Sequence, residues 1–394
     1  MIQAYTSGTI VSTYLAYLTL LTLLISSLLS LNEFLNRKVK FKFSKVDILI
    51  GLFVIALLRS FFNETMNLSN VLFYLITLLL LSLIIRFDVQ KNKFWASFIG
   101  SFILIIIVNV FFFIIGIDEN FWNEIGASQL SRSPQKLRLL SYFNVDYDRT
   151  GFLIFNNFAY YSMLLGLIII SVYHKIIKLN RVNLIVTLTL ALLSIIVTDA
   201  RGPALILALV LIFGSLINRI NKNNFFLVFL LIIVVPIIYS GLMLYIGFSY
   251  SDLSTIVSSR DLIWNTFFLY YNPSLFEFIF GYGFLGQNIS DISYQYEFLF
   301  RDRGSSSLVI SLHNNYLQYL MDIGLVGIFF LYRLVRNTLI KLNKIKYINL
   351  KFPLIFSLMV GISEMGIIIN NFLVFYFFIA LIYFVDFEYN KLKF

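Results

Sequence analysis

The sequence predicts an all-α, polytopic membrane protein with about eleven transmembrane helices, or about 10–12 where short segments are counted differently. The first observation is the composition: 59% of the 394 residues are hydrophobic, 13% are charged, and the mean hydropathy is +0.87. Soluble domains carry about 25% charged residues, so this chain has too little polar surface to cover a soluble globule. The second observation is the alternation of long apolar segments with basic loops.

Each predicted span is an apolar segment close to the roughly 20 residues that cross a bilayer as a helix. No basic region precedes the first segment, which is long enough to span. We therefore expect it to remain as a membrane helix rather than to be removed as a signal peptide. The boundary between the last two segments is soft. The eleven segments are 9–31, 47–62, 69–87, 94–116, 151–173, 182–198, 203–217, 225–248, 316–335, 352–368 and 371–386.

The loops between these segments alternate in charge. Five loops and the C-terminal tail hold 21 of the 30 basic residues, whereas only five of the 20 acidic residues lie in or beside them, namely Glu33, Asp47, Asp88, Asp386 and Glu388. Because cytoplasmic loops are enriched in Lys and Arg, we predict a multi-pass protein of the inner or plasma membrane, with the N-terminus outside and the C-terminus in the cytoplasm. The basic excess thus indicates topology and contact with anionic lipid headgroups, not binding of nucleic acid. The five loops are 36–45, 86–93, 174–181, 218–224 and 333–351.

Residues 1–394 are expected to form a single integral membrane domain with two long outer loops, a medium loop at 117–150 and a large loop at 249–315. The large loop is rich in Tyr and Trp, so we expect it to be ordered and to contain short helices on the membrane surface. Its aromatic rings could stack on sugars or anchor the loop at the interface. The chain has no cysteine and two histidines, which excludes disulfides and thiolate metal sites. No metal or other cofactor is predicted.

Two arginines stand out on the predicted outer side. Arg201 lies in the short turn "TDARGP", at interface depth, where a charge is costly and therefore suggests function; snorkelling to phosphates or pairing with Asp199 is the alternative. Arg260 lies in "SSRDLIW", where a capped helix is expected to begin. Trp264 falls four residues later, on the same helix face. A surface helix with a solvated Arg and an interfacial Trp is the alternative here.

The other candidates surround His313, which stands at the end of the large loop where a helix starts. Asn314 can hold an imidazole by hydrogen bonds. Glu364 is a carboxylate inside an apolar run, and Asp322 is similar; each could receive a sugar hydroxyl or orient an arginine. Tyr282 lies in the glycine-rich turn "GYG". A packed or water-bonded histidine is the alternative for His313, and salt bridges or helix ends are the alternatives for the two acids.

The order of these motifs resembles the O-antigen ligase and Wzy-type polysaccharide polymerase superfamily. The motifs are "ARG", "SRDLIW", "GYG" and "HNNYLQYLMDIGLVG", and the resemblance covers roughly residues 150–370. It implies a membrane glycosyltransferase that acts on undecaprenyl-pyrophosphate-linked glycans at the outer face. Arg201, Arg260 and His313 match the functional residues of the family. Glu364 stands where ligases often have Asp, and eleven spans differ from the twelve common in ligases.

The resemblance and the chemistry together predict a metal-independent, inverting transfer. Arg260 and Arg201 would bind the departing diphosphate bidentately, and a neutral His313 would take the proton of the attacking sugar hydroxyl. Substrate contacts are expected from Glu364, Asn314, Trp264 and Tyr282. We favour a polymerase of O-antigen or capsule that joins lipid-linked repeat units; a ligase with a different acceptor, or a flippase for lipid-linked oligosaccharide, is the alternative. Flippase and chain-length regulator proteins are possible partners.

Overall fold

The computed structural model describes residues 44–88, 158–173, 180–198, 201–246, 260–297, 311–345, 347–369 and 372–392, and the single residues 95, 100, 103 and 107. These residues form 14 α-helices and one short 3₁₀-helix, with no strand among them. The prediction of an all-helical protein is thus confirmed for the described part of the chain. The predicted span 9–31 and the predicted outer loop 117–150 lie outside the described residues.

The described α-helices are numbered α1–α14 in chain order. A short 3₁₀-helix at Ile348–Leu350 lies before the last two of these α-helices. In chain order they are α1 (Lys45–Phe62), α2 (Leu68–Asp88), α3 (Phe158–Tyr173), α4 (Arg181–Thr198), α5 (Arg201–Ile212), α6 (Gly214–Arg219), α7 (Phe225–Ile246), α8 (Arg260–Tyr270), α9 (Leu275–Phe280), α10 (Gly286–Ile289), α11 (Ile292–Tyr296), α12 (Asn315–Leu342), α13 (Lys351–Val360) and α14 (Phe372–Lys391).

The start of α1 is encoded by a capping box. The Ser44 hydroxyl accepts a hydrogen bond from the Val46 amide at 3.3 Å, and the Asp47 carboxylate accepts one from the Ser44 amide at 2.6 Å. These contacts satisfy amides that have no partner within the helix. Apolar residues at helical spacing, such as Val46 and Phe53, are then fully buried. α1 packs through this face against α2 and α12.

Two of the described helices have the length and hydropathy needed to cross a membrane, Leu68–Arg86 within α2 and Asn315–Leu342 in α12. Several shorter apolar helices accompany them. Large apolar side chains on the outer surface, such as Leu227 and Leu231 on α7, are more than half exposed. An apolar outer surface of this kind is what a bilayer would cover. The architecture agrees with a helical membrane protein, and the count of eleven spans stays a prediction.

One predicted span, 203–217, is broken, so the prediction of a continuous helix is wrong there. α5 ends at Ile212 and α6 begins at Gly214, because Phe213 leaves the helical conformation with φ −89° and ψ 23°. The glycine lets another helix approach closely, since a Cβ at residue 214 would lie 3.1 Å from the Phe352 ring. Hydropathy does not detect this break, because both pieces are apolar.

The predicted span 352–368 is also wrong as a continuous helix, since α13 ends at Val360 and residues 361–369 are not helical. The backbone of this segment is used elsewhere. The Gly361 carbonyl accepts a hydrogen bond from the Asn315 amide at 2.7 Å, and the Ile367 amide donates to the Asn315 side chain at 3.0 Å. The segment therefore leaves the helix to pair with the start of α12.

The centre of the bundle is formed by α14 and α3, with α13 against them. Residues 374–385 of α14 and residues 163–172 of α3 are buried on every side. A helix that is apolar all round belongs inside a bundle rather than at its surface. The peripheral helices pack around this centre.

Helices α8–α11 belong to the predicted large outer loop and form a second apolar cluster against the first turns of α12. Its members are Ile263, Trp264, Phe267, Tyr282, Ile292, Tyr296, Leu312, Leu317 and Met321. These four helices are short, and the assignment of residues 249–315 to a loop on the outer membrane surface stays a prediction. The structure packs them on α12, where residue 324 interrupts the helix.

Two glycines make this packing possible. Gly324 has φ 67° and ψ −166°, and a Cβ there would lie 2.3 Å from the Ile279 carbonyl oxygen. Gly281 has φ 73°, and a Cβ there would lie 2.5 Å from the backbone of Asp322. Both positions require glycine for conformation and for space. The loop and α12 thus meet backbone to backbone.

Candidate active site

The candidate site is centred on Glu364, which lies in the non-helical segment after α13. Its side chain is only 1% exposed. Oε1 accepts a hydrogen bond from the Arg260 guanidinium, and Oε2 lies 3.8 Å from Nδ1 of His313. These three residues, here called the Glu364 cluster, come from three separate parts of the chain. The structure therefore brings together two of the three residues that the motifs predicted, with the carboxylate of Glu364, another predicted candidate, between them.

Arg260 reaches Glu364 from the first position of α8. The described helix begins at this residue, and the predicted caps, Ser258 and Ser259, lie outside the described residues. The Arg260 side chain is 17% exposed. A guanidinium remains charged at any physiological pH and has five donors. Glu364 therefore occupies only part of its donor capacity, and the group keeps access to the outside of the cluster.

His313 is held beside Glu364 in an unusual backbone conformation. Its φ is 47°, in the left-handed region that few non-glycine residues adopt. The imidazole is 28% exposed, with Nδ1 on the Glu364 side. A distance of 3.8 Å is too long for a hydrogen bond, and the contact is an ion pair only when the imidazole is protonated. Nε2 is the nitrogen left for another partner.

Asn314 and Asn315, which follow His313, are both fully buried. The Asn314 side chain caps α12, where it accepts hydrogen bonds from the amides of Tyr316 and Leu317 at 2.9 Å each. Its Nδ2 donates to the Ile362 carbonyl at 2.8 Å. Asn314 thus joins the start of α12 to the segment that carries Glu364. Its polar atoms contact protein groups, and the contact of Asn314 with a substrate stays a prediction.

Trp264 lies one turn after Arg260 on α8, with only 4% of its surface exposed. Its indole N–H donates a hydrogen bond to the Leu312 carbonyl at 3.0 Å. The ring packs in the second apolar cluster. Trp264 therefore contacts the residue that directly precedes His313, and its faces are covered by other side chains.

The side chain of Arg201 lies outside the described residues, but the backbone beside it is placed. α5 begins at Arg201, and Gly202 follows. A Cβ on Gly202 would lie 3.3 Å from Oγ of Ser363 and 3.7 Å from the Arg260 guanidinium. The "ARG" turn thus adjoins the Glu364 cluster. The absence of a side chain at residue 202 leaves room for the guanidinium of Arg260.

Tyr282 and Asp322 lie outside the cluster, where α8–α11 pack on α12. The Tyr282 amide donates to the Met321 carbonyl at 2.6 Å, and its hydroxyl interacts with Glu277. Burial raises the pKa of the Tyr282 phenol, and the Glu277 carboxylate adds to this effect. Asp322 accepts hydrogen bonds from the Gly286 amide at 3.0 Å and the Gln318 amide group at 2.8 Å. Both residues therefore contact protein groups.

Two further residues were not predicted from the sequence, Ser363 beside the Glu364 cluster and Arg59 in the packing of α9. Ser363 adjoins Gly202, as described above, and nothing in its local sequence indicates this. Arg59, near the end of α1, donates to the Gly281 carbonyl and lies 5.1 Å from the centre of the Phe276 ring. An arginine inside an apolar run was a usable signal for Arg59. Among the described residues, no group of three or more His, Asp and Glu side chains is arranged to hold a metal ion.

Comparison with known protein families gives one match. The family model described as O-antigen ligase matches residues 185–332, which include Arg201, Arg260 and His313. This match confirms the resemblance to the O-antigen ligase and Wzy superfamily. It supports, in general terms, a membrane enzyme of the ligase or polymerase type that uses lipid-linked glycans. Neither the curated proteins nor the solved structures contain a significant match to the chain.

Proposed function

We propose that this protein is a polymerase of surface polysaccharide, O-antigen or capsule, that transfers a glycan from undecaprenyl pyrophosphate to a sugar hydroxyl of another lipid-linked repeat unit. The observation that carries the proposal is the position of Glu364 between Arg260 and His313. It supports one centre that contains a permanent cation, a titratable base and a carboxylate that orients both.

The first task of such a centre is to stabilise the leaving group. When the bond between the anomeric carbon and the diphosphate oxygen breaks, negative charge grows on the diphosphate. Among the described residues, Arg260 hydrogen-bonds only to Glu364, and Arg201 starts a helix whose next residue adjoins Arg260. Two guanidinium groups can hold a diphosphate bidentately, and one preorganised donor of this kind is worth about 2.7–4 kcal/mol of barrier.

The second task is to activate the acceptor. The sugar hydroxyl attacks the anomeric carbon from the face opposite the diphosphate, its oxygen forms the new glycosidic bond, and Nε2 of His313 takes the proton. The products are a longer lipid-linked glycan and undecaprenyl pyrophosphate. Because a single displacement occurs, the anomeric configuration inverts. Glu364 faces Nδ1, which leaves Nε2 for the hydroxyl and stabilises the imidazolium that forms.

The predicted substrate contacts take different roles in this proposal. Asn314 holds His313 and Glu364 at a fixed separation, because its side chain joins α12 to Ile362. Glu364 acts on the two catalytic side chains. Tyr282 stabilises the packing of the outer loop. The contacts of the sugar rings are left to other residues of the large outer loop.

A ligase is the second candidate, because the matching family model is described as O-antigen ligase. The two enzymes differ in the acceptor of the glycan, so the test varies the acceptor. Purified protein in proteoliposomes would receive a synthetic undecaprenyl-pyrophosphate oligosaccharide alone. A polymerase forms a ladder of longer lipid-linked glycans under these conditions. Product that appears only after a different acceptor, such as lipid A core, is added would identify a ligase. If no glycan product forms in either condition, the proposal is overturned.

The proposal also requires the cluster on the outer face of the membrane. Because the chain has no cysteine, a single introduced thiol is a clean probe. Ser311→Cys, two residues from His313, should react with a membrane-impermeant maleimide in intact spheroplasts. Lys391→Cys, at the C-terminal end of α14, should react only after permeabilisation. The reverse pattern would place the cluster in the cytoplasm and contradict the proposal.

A further inference from the structure

The backbone of His313 needs support from its surroundings. With φ 47°, the residue occupies a region that costs about 1–3 kcal/mol for most side chains. Such a conformation persists only where neighbouring contacts enforce it. The contacts on the two sides of His313 therefore determine where its imidazole points.

The contact on the C-terminal side is the helix cap. Asn314 is buried, accepts from two amides of α12 and donates to Ile362. This fixes the residue after His313 relative to both the helix and the Glu364 segment. These contacts do not fix the peptide group between Leu312 and His313, which needs a contact of its own.

The contact on the N-terminal side comes from Trp264. Its indole N–H donates to the carbonyl of Leu312 at 3.0 Å, and Leu312 is itself fully buried. The same helix carries Arg260 four residues earlier, on the same face. α8 thus holds the two catalytic side chains at once, since it pairs Arg260 with Glu364 and fixes the peptide before His313.

We propose that Trp264 is a positioning residue, whose indole N–H fixes the Leu312 carbonyl and thereby aims the His313 imidazole at Glu364. This inference rests on the proposed function. It replaces the expectation that Trp264 stacks on a sugar ring, because the ring is 96% covered and its polar atom is used inside the protein.

The test removes the N–H alone. Trp264 is replaced by β-(3-benzothienyl)alanine, which has the shape of tryptophan with sulfur in place of N–H. We expect kcat for glycan transfer to fall about tenfold, the effect of losing one neutral hydrogen bond, with KM within about twofold because no substrate contact is removed. The same replacement at Trp95, which packs on Phe377 and Phe384, should change neither constant.

The second readout does not depend on turnover. The chain has two histidines, His174 and His313, so a His174→Gln background leaves one imidazole for NMR. The His313 Cε1 resonance in nanodiscs should shift or broaden in the Trp264 variant while its thermal midpoint stays that of the parent. The Trp95 variant should leave the resonance in place.

The outcomes separate the two proposals. An unchanged kcat, or a lower kcat with an unmoved His313 resonance, would overturn the positioning role. A raised KM with unchanged kcat would instead make Trp264 a substrate contact. If the parent protein transfers no glycan, the proposed function fails, whereas the NMR comparison still decides whether Trp264 orients His313.

Discussion

Two groups of carboxylates in this bundle are paired with cations, and they are satisfied to different degrees. In the first, Asp47 receives hydrogen bonds from Arg86 at 3.2 Å and from the Tyr383 hydroxyl at 2.8 Å, and Asp386 receives one from Lys341 at 2.5 Å. The Ser44 amide donates to the other oxygen of Asp47, and the Ser44 hydroxyl donates to the other oxygen of Asp386. Every carboxylate oxygen of this group has a partner.

The Glu364 cluster is built differently. Oε2 of Glu364 is buried and has no hydrogen-bond partner among the described residues, while His313, whose Nδ1 lies 3.8 Å from this oxygen, is held in a left-handed conformation. An unsatisfied buried oxygen costs about 1–3 kcal/mol. The comparison suggests that the first group holds helices together and that the second holds reactive groups apart from each other, ready for a substrate.

The largest effect should follow from removing the base. His313→Asn keeps a residue that tolerates the left-handed conformation but cannot act as a general base, so transfer should slow by about 10²–10⁴-fold. Arg260→Lys should slow it by about 10²–10³-fold, because the fork of donors is lost. The measurement is the initial rate of glycan transfer in proteoliposomes. His174→Asn is the matched control and should retain the parent rate; rates near normal for His313→Asn would remove the base role.

A smaller but still large effect is expected at the backbone contact that supports α8–α11. Gly324→Ala would place a methyl group 2.3 Å from the Ile279 carbonyl oxygen at a glycine-only conformation, so we expect a loss of about 3 kcal/mol of unfolding free energy. Gly51→Ala on α1 meets nothing within 4 Å and should be neutral or stabilising by about 1 kcal/mol. Thermal unfolding in detergent measures both. Equal midpoints for the two variants would contradict the packing described here.

A substitution in the group formed by Asp47 and Asp386 should lower the stability of the protein without changing the rate of glycan transfer. Asp47→Asn removes the negative charge that contacts Arg86 and the Tyr383 hydroxyl. The side chain of Asp47 is 17% exposed and that of Arg86 is 13% exposed. The expected loss is about 2 kcal/mol of unfolding free energy. The transfer rate per folded molecule should not change. A slower rate with unaltered stability would mean that the two groups do not differ in the way proposed.

The smallest effect is a pH dependence in the outer loop. Hydrogen bonds from the Ser274 backbone lower the pKa of Glu277. A lowered pKa in the folded state means that the stabilisation is fully present above the unfolded pKa, about 4.3, and is lost as pH falls through the folded value. Glu277→Gln should therefore be less stable than the parent at about pH 7, with the difference shrinking at about pH 4 and below. A difference that is constant over this range would rule out the ionic origin.

Part of this account could be read from the sequence. Composition and charge alternation predict helices in a membrane, and the order of "ARG", "SRDLIW" and "HNNYLQYL" selects Arg260 and His313, whose contact with Glu364 the structure then describes. The start of α12 beside His313 was also predicted, and its cap at Asn314 depends on a few neighbouring residues.

The rest depends on contacts between distant parts of the chain. Arg260 and Glu364 are 104 positions apart, and no local pattern links them. The break at Phe213 and the extended segment after Val360 arise from backbone hydrogen bonds and close packing that hydropathy does not report. Trp264 was read as an exposed ring, since periodicity gives the face of a helix but not what covers it.

The most direct test of the central claim, that Arg260, Glu364 and His313 form one transfer centre, is a double-mutant cycle on the transfer rate. Glu364→Gln keeps the shape of the side chain and removes its charge, and should slow transfer by about 10–100-fold through loss of a charged contact to each partner. If Glu364 acts through His313, the Glu364→Gln/His313→Asn double variant will be as slow as His313→Asn alone. Rates that fall by the product of the two single effects would show independent action and contradict the claim.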